Sequence, residues 1–419
     1  MTADAQAAVT AAWRHESVRL IGALTRMTGE VGLAEDLAQD ALVAALSQWP
    51  REGIPSNPAA WLMAVAKRRA IDRFRRDAVA RREAESMAGE LREDTRPADL
   101  TAAVDHIEDD VLRLMFLTCH PVLSPESRAA LTLRLVDGLT TTEIANGFLA
   151  REKTMGQRIS RAKTTLAQAR AAFEVPQGQE REARLADVMA VIYLIFIEGY
   201  AASTGDHWMR PELCLEALRL ARLLAKLVPD EPEAHGLQAL LEIQASRMRA
   251  RRDADGEAVL IEQQDRRRWD WLLIRRGLAA LDRAEATGRA VGPYVLQAAI
   301  AACHARARRA EDTDWVRIAE LYDVVAEAYP SPVVEANRAV AHGRAHGPDA
   351  GLRILDAVAG DPALAGTSLP GAVRGDLLQA KGDRAGAATA FAEAAALSRA
   401  TRRSVGCCCA ARRKIRETM

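Results

Sequence analysis

Aromatic residues supply only 4% of this 419-residue chain, and cysteine occurs six times. Cys119, Cys214 and Cys303 are scattered, whereas Cys407, Cys408 and Cys409 are consecutive near the end. That distribution is too irregular for a disulfide framework and suits a reducing compartment. Histidines follow Cys119 and Cys303, but no CxxC pair accompanies them, so helical cysteines are favoured over a metal site and no cofactor is expected. The eight histidines show no catalytic spacing with Ser, Asp or Cys, which argues against an enzyme. No run of roughly eighteen apolar residues is present, so no membrane span is expected. The opening MTADAQAAVTAAWRHESVRL lacks the basic start and apolar core of a secretory signal, and a cytoplasmic address follows as the expectation.

Net charge is also missing, since 57 basic residues meet 57 acidic ones. The zero average conceals a strong local asymmetry. Residues 61–82 hold eight basic side chains (Lys67, Arg68, Arg69, Arg73, Arg75, Arg76, Arg81 and Arg82) against Asp72 and Asp77. Residues 83–110 then hold ten acids against Arg92 and Arg96. A basic module followed by an acidic, proline-containing connector marks a domain boundary.

What is abundant is alanine, leucine, arginine and glutamate, a composition that favours helix throughout; no alternating strand pattern is convincing. The expected fold class is all-α: two small helical modules over 8–82 and 107–172, an acidic connector over 83–106 between them, and a helical-repeat region over 182–400. Residues 401–419 form an atypical tail. In the first module the pattern predicts helices over 17–28, 33–48 and 59–76, with the loop SQWPREGIPSNP between the last two, because Pro50, Gly53, Pro55 and Pro58 break helicity. The second module opens with an amphipathic stretch, VLRLMFLTCHPVL. Thr140 followed by Glu143 then fits a capping box. In the helix after it, Met155, Ile159, Ala162 and Leu166 form one apolar stripe. Further on, GDLLQAKGDRAGAATAFAEAAAL has the small-residue spacing of a tetratricopeptide-like helical hairpin, and the segment around YPSPVVEANRAVAHGRAHGPDAGL reads similarly.

A short helix, a tight turn and a second helix with an apolar inner stripe and a basic, hydroxylated outer face are what insertion into the DNA major groove requires. Residues 140–168 meet that description. The outer face carries Lys153, Thr154, Gln157, Arg161 and Thr164. Earlier, AEDLAQDALVAAL crowds Glu35, Asp36, Gln39 and Asp40 into the start of one helix, an acidic surface suited to a basic partner. The helix PAAWLMAVAKRRAIDRFRR carries arginines around its whole circumference, as a partner that surrounds it would demand. Trp49, Trp61 and Phe74 among those arginines supply rings that could stack on unpaired bases, although core packing is the stronger expectation for Trp61.

Taken together, AEDLAQDALVAAL, the Trp-Pro that follows, NPAAWLMAVAKRRAIDRFRR and DGLTTTEIANGFLAREKTMGQRISRAKTTL resemble regions two and four of extracytoplasmic-function sigma factors, over residues 10–172. The remainder, with YLIFIEGYAAS, DRRRWDW, GPYVLQAAIAACHARA and SPVVEANRAVA, resembles the long helical extension of one sigma-factor subgroup. The resemblance implies a chain that binds core RNA polymerase and promoter DNA and catalyses no covalent chemistry. The helix with Glu35, Asp36, Gln39 and Asp40 would meet the polymerase clamp. The loop holding Trp49, Arg51 and Asn57, with Trp61 behind it, would accept a flipped base of the minus-ten element. Lys67, Arg68, Arg73, Arg75 and Arg76 would hold phosphates. Lys153, Thr154, Gln157, Arg158, Arg161 and Lys163 would read the minus-thirty-five element. The extension would regulate activity, itself or through a protein partner.

Three departures from that pattern stand out. Arg151 occupies the position before the recognition helix where the family commonly places proline or a small polar residue. Ile197 replaces the asparagine of the subgroup's Phe-Asn-Glu-Gly-Tyr motif, and the Cys407–Cys409 tail matches nothing in it. The rival expectation is a conventional helix-turn-helix activator with a repeat-based sensor, which needs no acid-fronted clamp helix.

Overall fold

The computed structural model describes residues 3–88, 107–148, 150–200, 209–253 and 259–401. Among them no β-strand occurs and every long element is an α-helix. The chain divides into two compact units, Met1–Ile192 and Tyr193–Met419. Most of the acidic connector, residues 89–106, and the tail beyond Thr401 lie outside the described residues.

The first unit begins with α1 (Ala3–Thr28), α2 (Val31–Glu52) and α3 (Pro58–Ala88), all longer than the apolar periodicity alone predicts. In α2 the small residues Ala34, Ala38, Ala41 and Ala45 are fully buried, which lets neighbouring helices approach closely. The helix runs through Pro50, where a break was expected. Burial of the Trp49 ring, 3% exposed and edge-on to Trp61 at 5.5 Å, holds this last turn in place. Gly53 then ends it with φ 89°, a value that suits glycine. Only residues 53–57 remain as loop before Asn57 caps α3 by accepting from the Ala60 amide at 3.0 Å.

Next come α4 (Ile107–Thr118), α5 (Pro125–Leu135), α6 (Thr141–Gly147) and α7 (Glu152–Gln168). The amphipathic stretch expected to continue through Leu123 stops at Thr118, because Pro121 disfavours helical backbone at His120. The capping box closes in both directions: the Glu143 amide donates to Thr140 Oγ1 at 3.1 Å, and the Thr140 amide to Glu143 Oε2 at 2.8 Å. Met155, Ile159, Ala162 and Leu166 of α7 are all buried, and they pack the helix inward against α5 and α6. Arg151 takes the cap position of α7 without any side-chain capping bond.

Helix α8 (Gly178–Tyr200) contributes residues to each unit. The second unit continues with α9 (Pro211–Leu227), α10 (Pro232–Ser246), α11 (Trp271–Ala286), α12 (Pro293–Arg306), α13 (Trp315–Ala328), α14 (Pro332–His346), α15 (Pro348–Val358), α16 (Leu369–Lys381) and α17 (Arg384–Thr401). Proline opens α9, α10, α12, α14 and α15, where its missing N–H costs nothing. Helix α10 is nearly all buried, with α9, α11 and α12 packed around it. A Cβ on Gly236 would stand 2.6 Å from the Val295 amide nitrogen, so the α10–α12 approach requires glycine. Glu233 accepts the amides of Gly292, Tyr294 and Val295 at 2.9, 2.8 and 3.1 Å and so caps α12 from the neighbouring helix.

From α13 onward consecutive helices pair in sequence. The Gly-Asp turn behaves as its pattern suggests: Gly382 adopts φ 91° after α16, and Asp383 accepts from the Gly386 amide at 2.9 Å to start α17. Phe391 of α17 is buried against Gly375 of α16.

Candidate nucleic-acid interface

Helix α7 presents Lys153, Thr154, Gln157, Arg161 and Thr164 to solvent, while Arg158 is half-buried. The apolar stripe fixes the rotation of the helix, and rotation decides which side chains can reach a groove edge. Before it in the chain, the capping box fixes the start of α6. A rigid hairpin with one basic, hydroxylated face is the result.

The acidic start of α2 is less uniform than its sequence suggests. Asp36 and Asp40 are exposed and Gln39 is half-buried. Glu35, expected on the same acidic surface, is only 2% exposed. Its carboxylate accepts from Arg134 Nε of α5 at 2.7 Å and from Gln39 Nε2 at 2.6 Å, and it pairs with the Lys163 ammonium of α7. Lys163, expected at DNA, is therefore turned toward α2 in this structure. Nothing in the sequence signals this contact, because Glu35 and Arg134 lie 99 residues apart. A second buried carboxylate repeats the arrangement: Asp110, 1% exposed, binds Arg26 of α1 at 3.1 Å and Arg113 at 2.9 Å. Gly22 of α1 permits this, since a Cβ there would meet the Asp110 carbonyl oxygen at 3.1 Å. The two helical modules of the first unit are thus joined by ion pairs at two places.

On α3, Arg68, Arg73, Arg75 and Arg76 are exposed and Lys67 is half-buried. Asp36 and Asp40 share a groove of about 250 Å³ with Arg69, Asp72, Arg73 and Arg76, and Arg69 pairs with Asp40 at 3.2 Å. Acid front and arginine-laden exit, separate in sequence, form one surface. Arg51 and Asn57 are exposed near the short loop, and Trp61 is half-buried. Trp49 departs from the expectation of an exposed ring: it sits inside α2, buried, with its indole Nε1 unpartnered.

Other titratable groups read as structural. Burial, outweighing the hydrogen bonds with Thr132 and Thr118, pushes the Cys119 thiol up to about 11 and keeps it neutral near pH 7. Among the described residues, no group of three His, Cys, Asp or Glu side chains could hold a metal ion, and no helix is long and apolar enough to cross a membrane.

Two small helical modules of this kind, one acid-fronted with a basic exit and one a helix-turn-helix, define a sigma-70-type initiation factor. The comparisons with known proteins agree. Residues 12–79 match the family Sigma-70 region 2, residues 113–166 match Sigma-70, region 4, and residues 184–285 match a family of unknown function, DUF6596. An uncharacterized protein of Rhizobium meliloti (strain 1021) is 45% identical, with 90% of this chain and 89% of that protein covered. The ECF RNA polymerase sigma factor SigK of Mycobacterium sp. (strain KMS) is 31% identical over 34% of this chain and 72% of its own length. The probable ECF RNA polymerase sigma factor SigI of Mycobacterium tuberculosis (strain ATCC 25618 / H37Rv) is 29% identical over 47% of this chain and 64% of its own length. No solved structure matches. The chain belongs to the extracytoplasmic-function sigma factors, non-enzymatic promoter-recognition subunits that bind core RNA polymerase and promoter DNA. The region 2 match is what separates it from a conventional helix-turn-helix activator.

Proposed function

We propose that promoter choice by this factor rests on three surfaces of the first unit, acting in the cytoplasm with core polymerase. Asp36, Gln39 and Asp40 of α2 meet the clamp. Arg68, Arg73, Arg75 and Arg76 of α3, with Lys67, hold the phosphates of the minus-ten region, while Arg51, Asn57 and Trp61 border the site of a flipped base. Lys153, Thr154, Gln157, Arg158 and Arg161 of α7 read the minus-thirty-five element. The exposure of Lys153, Thr154, Gln157 and Arg161 above a buried stripe is the observation that carries the reading. Trp49 serves instead by bracing Trp61 from behind.

Under this assignment the ion pairs of Glu35 gain a purpose. Elements named minus-ten and minus-thirty-five lie about 25 base pairs apart, or about 85 Å at 3.4 Å per base pair. The module of α2 and α3, tied to α7 by the Glu35–Lys163 ion pair, cannot reach the minus-ten region while α7 occupies the minus-thirty-five element. Such a joined pair supports a closed form, from which polymerase binding separates the modules, freeing Glu35 for the clamp and Lys163 for DNA. The helical extension over 182–400 sets how readily that opening occurs, through its own contacts or those of a regulatory protein. Run-off transcription with reconstituted core polymerase tests the whole. Arg158→Ala with Arg161→Ala is expected to abolish start-site selection while leaving association with core intact. Full selection by that variant would refute the assignment of α7, and unaltered control after deletion of residues 182–419 would refute the role of the extension.

A further inference from the structure

The second unit carries a basic surface that the promoter-recognition surfaces do not use. Three adjoining depressions of about 610, 440 and 310 Å³ run along the irregular segment between α10 and α11 and the turn after α12. The first shares Asp265 and Arg267 with its neighbours, and Arg268 lines the other two, so the three are continuous. Arg249, Arg267, Arg268, Arg308 and Arg309 are exposed along it.

Among the described residues, the acids of this surface are engaged within the chain. Asp265 accepts a two-pronged bond from Arg267 at 3.0 and 3.1 Å. Glu262 pairs with Arg344 at 3.0 Å, and Asp270 accepts the amides of Leu272 and Leu273 at 2.9 and 3.1 Å as the cap of α11. Arg309 reaches Glu311 at 3.2 Å, an exposed pair of little strength. Arg249, Arg268 and Arg308 make no ion pair with any described residue, although Arg268 donates to the Arg252 carbonyl at 3.4 Å and feels the charge of Asp265. Beside them Trp271, 42% exposed, and Leu272, 48% exposed, leave apolar surface in water. In the wall of the largest depression, Gln264 Oε1 and Arg266 Nε are buried and have no hydrogen-bond partner.

Unpaired guanidinium groups strung along a groove, with an aromatic ring at its margin, are the equipment of single-stranded nucleic-acid binding: cations track the backbone and bases stack on the ring. An acidic peptide would find the same charges, but separate cations spaced along a groove suit a backbone charged at every unit, and the exposed indole offers its face to a stacked base. We propose that the extension holds single-stranded nucleic acid along Arg249, Arg268 and Arg308, with a base stacked on Trp271. None of these residues belongs to α2, α3 or α7, so the proposal stands apart from the promoter reading.

The test uses the full chain and an oligodeoxythymidine of roughly twenty nucleotides bearing 5-bromodeoxyuridine. Photo-crosslinking followed by peptide mass spectrometry should place adducts at 269–272 as well as on α3. Fluorescence anisotropy should show the variant Arg249→Ala, Arg268→Ala, Arg308→Ala losing about tenfold in affinity. Its salt dependence should be shallower by about two log units per log unit of salt, since each phosphate neutralised on a single strand contributes ~0.7. Trp271→Ala should weaken binding with the salt slope unchanged. Adducts confined to residues 58–88, or an unchanged slope in the triple variant with its melting curve intact, would overturn the proposal. So would polyglutamate occupying the strip while the oligonucleotide does not, an outcome that assigns the surface to an acidic protein.

Discussion

Replacing Arg134 with methionine isolates the closed form, because Arg134 belongs to none of the surfaces assigned to polymerase or DNA. The change removes one of the two cations on the Glu35 carboxylate, which is 2% exposed and bound by Arg134 at 2.7 Å. Removing one partner of a fully buried pair costs about 3–5 kcal/mol. The Arg134 and Lys163 side chains are 18% and 23% exposed, so the lower end applies, about 3 kcal/mol. At about 1.4 kcal/mol per tenfold, the closed form loses about a hundredfold of its advantage. If closure limits association, apparent affinity for core polymerase rises by up to that factor, since it scales with the fraction of competent molecules. Titrating labelled full-length protein with core enzyme reads the shift directly. Retained helical circular dichroism and a cooperative unfolding transition in Arg134→Met separate opening from simple damage. Affinity within about twofold of wild type in Arg134→Met, with the protein folded, would refute the reasoning.

Thr140→Ala removes one half of the capping box and should cost the helix-turn-helix about 1 kcal/mol, seen as a lower melting temperature, while Thr140→Ser restores it. Gly236→Ala drives a methyl into the Val295 backbone and should destabilise the second unit far more than an exposed change such as Arg275→Ala; equal denaturant midpoints for the two would contradict the close α10–α12 packing. Burial, reinforced by Arg247 and Arg266, pushes His304 down to about 4 from its ordinary 6.5. Below pH 6.5 the unfolded chain takes up this proton and the folded one does not, so stability is lost as pH falls from about 6.5 to 4, by about 3 kcal/mol at the lower limit. Denaturant titrations of His304→Asn across that range should lack this contribution.

Local patterns carried most of what the sequence alone could say. Alanine-rich 3.6-residue periodicity made the chain all-helical, Thr140 and Glu143 announced the start of α6, and the Met155–Leu166 stripe told which face of α7 stays outside, because capping and amphipathicity act within a few residues of each other. The boundaries of α2 and the state of Trp49 escaped, since Pro50 argues for a break and only a tertiary contact with Trp61 sustains the last turn. Which of four clustered polar residues at 35–40 would be withdrawn from solvent was equally invisible. That choice depends on Arg134 and Lys163, about a hundred residues away or more, arriving at the same place on α2. A carboxylate joins a surface or a buried pair according to whether desolvation is repaid by partners nearby in space, and sequence distance holds no record of them. The arginine strip of the extension follows the same logic: its cations were countable from the start, but only the fold showed that Glu262, Asp265 and Asp270 hold internal partners while Arg249, Arg268 and Arg308 make no ion pair with any described residue.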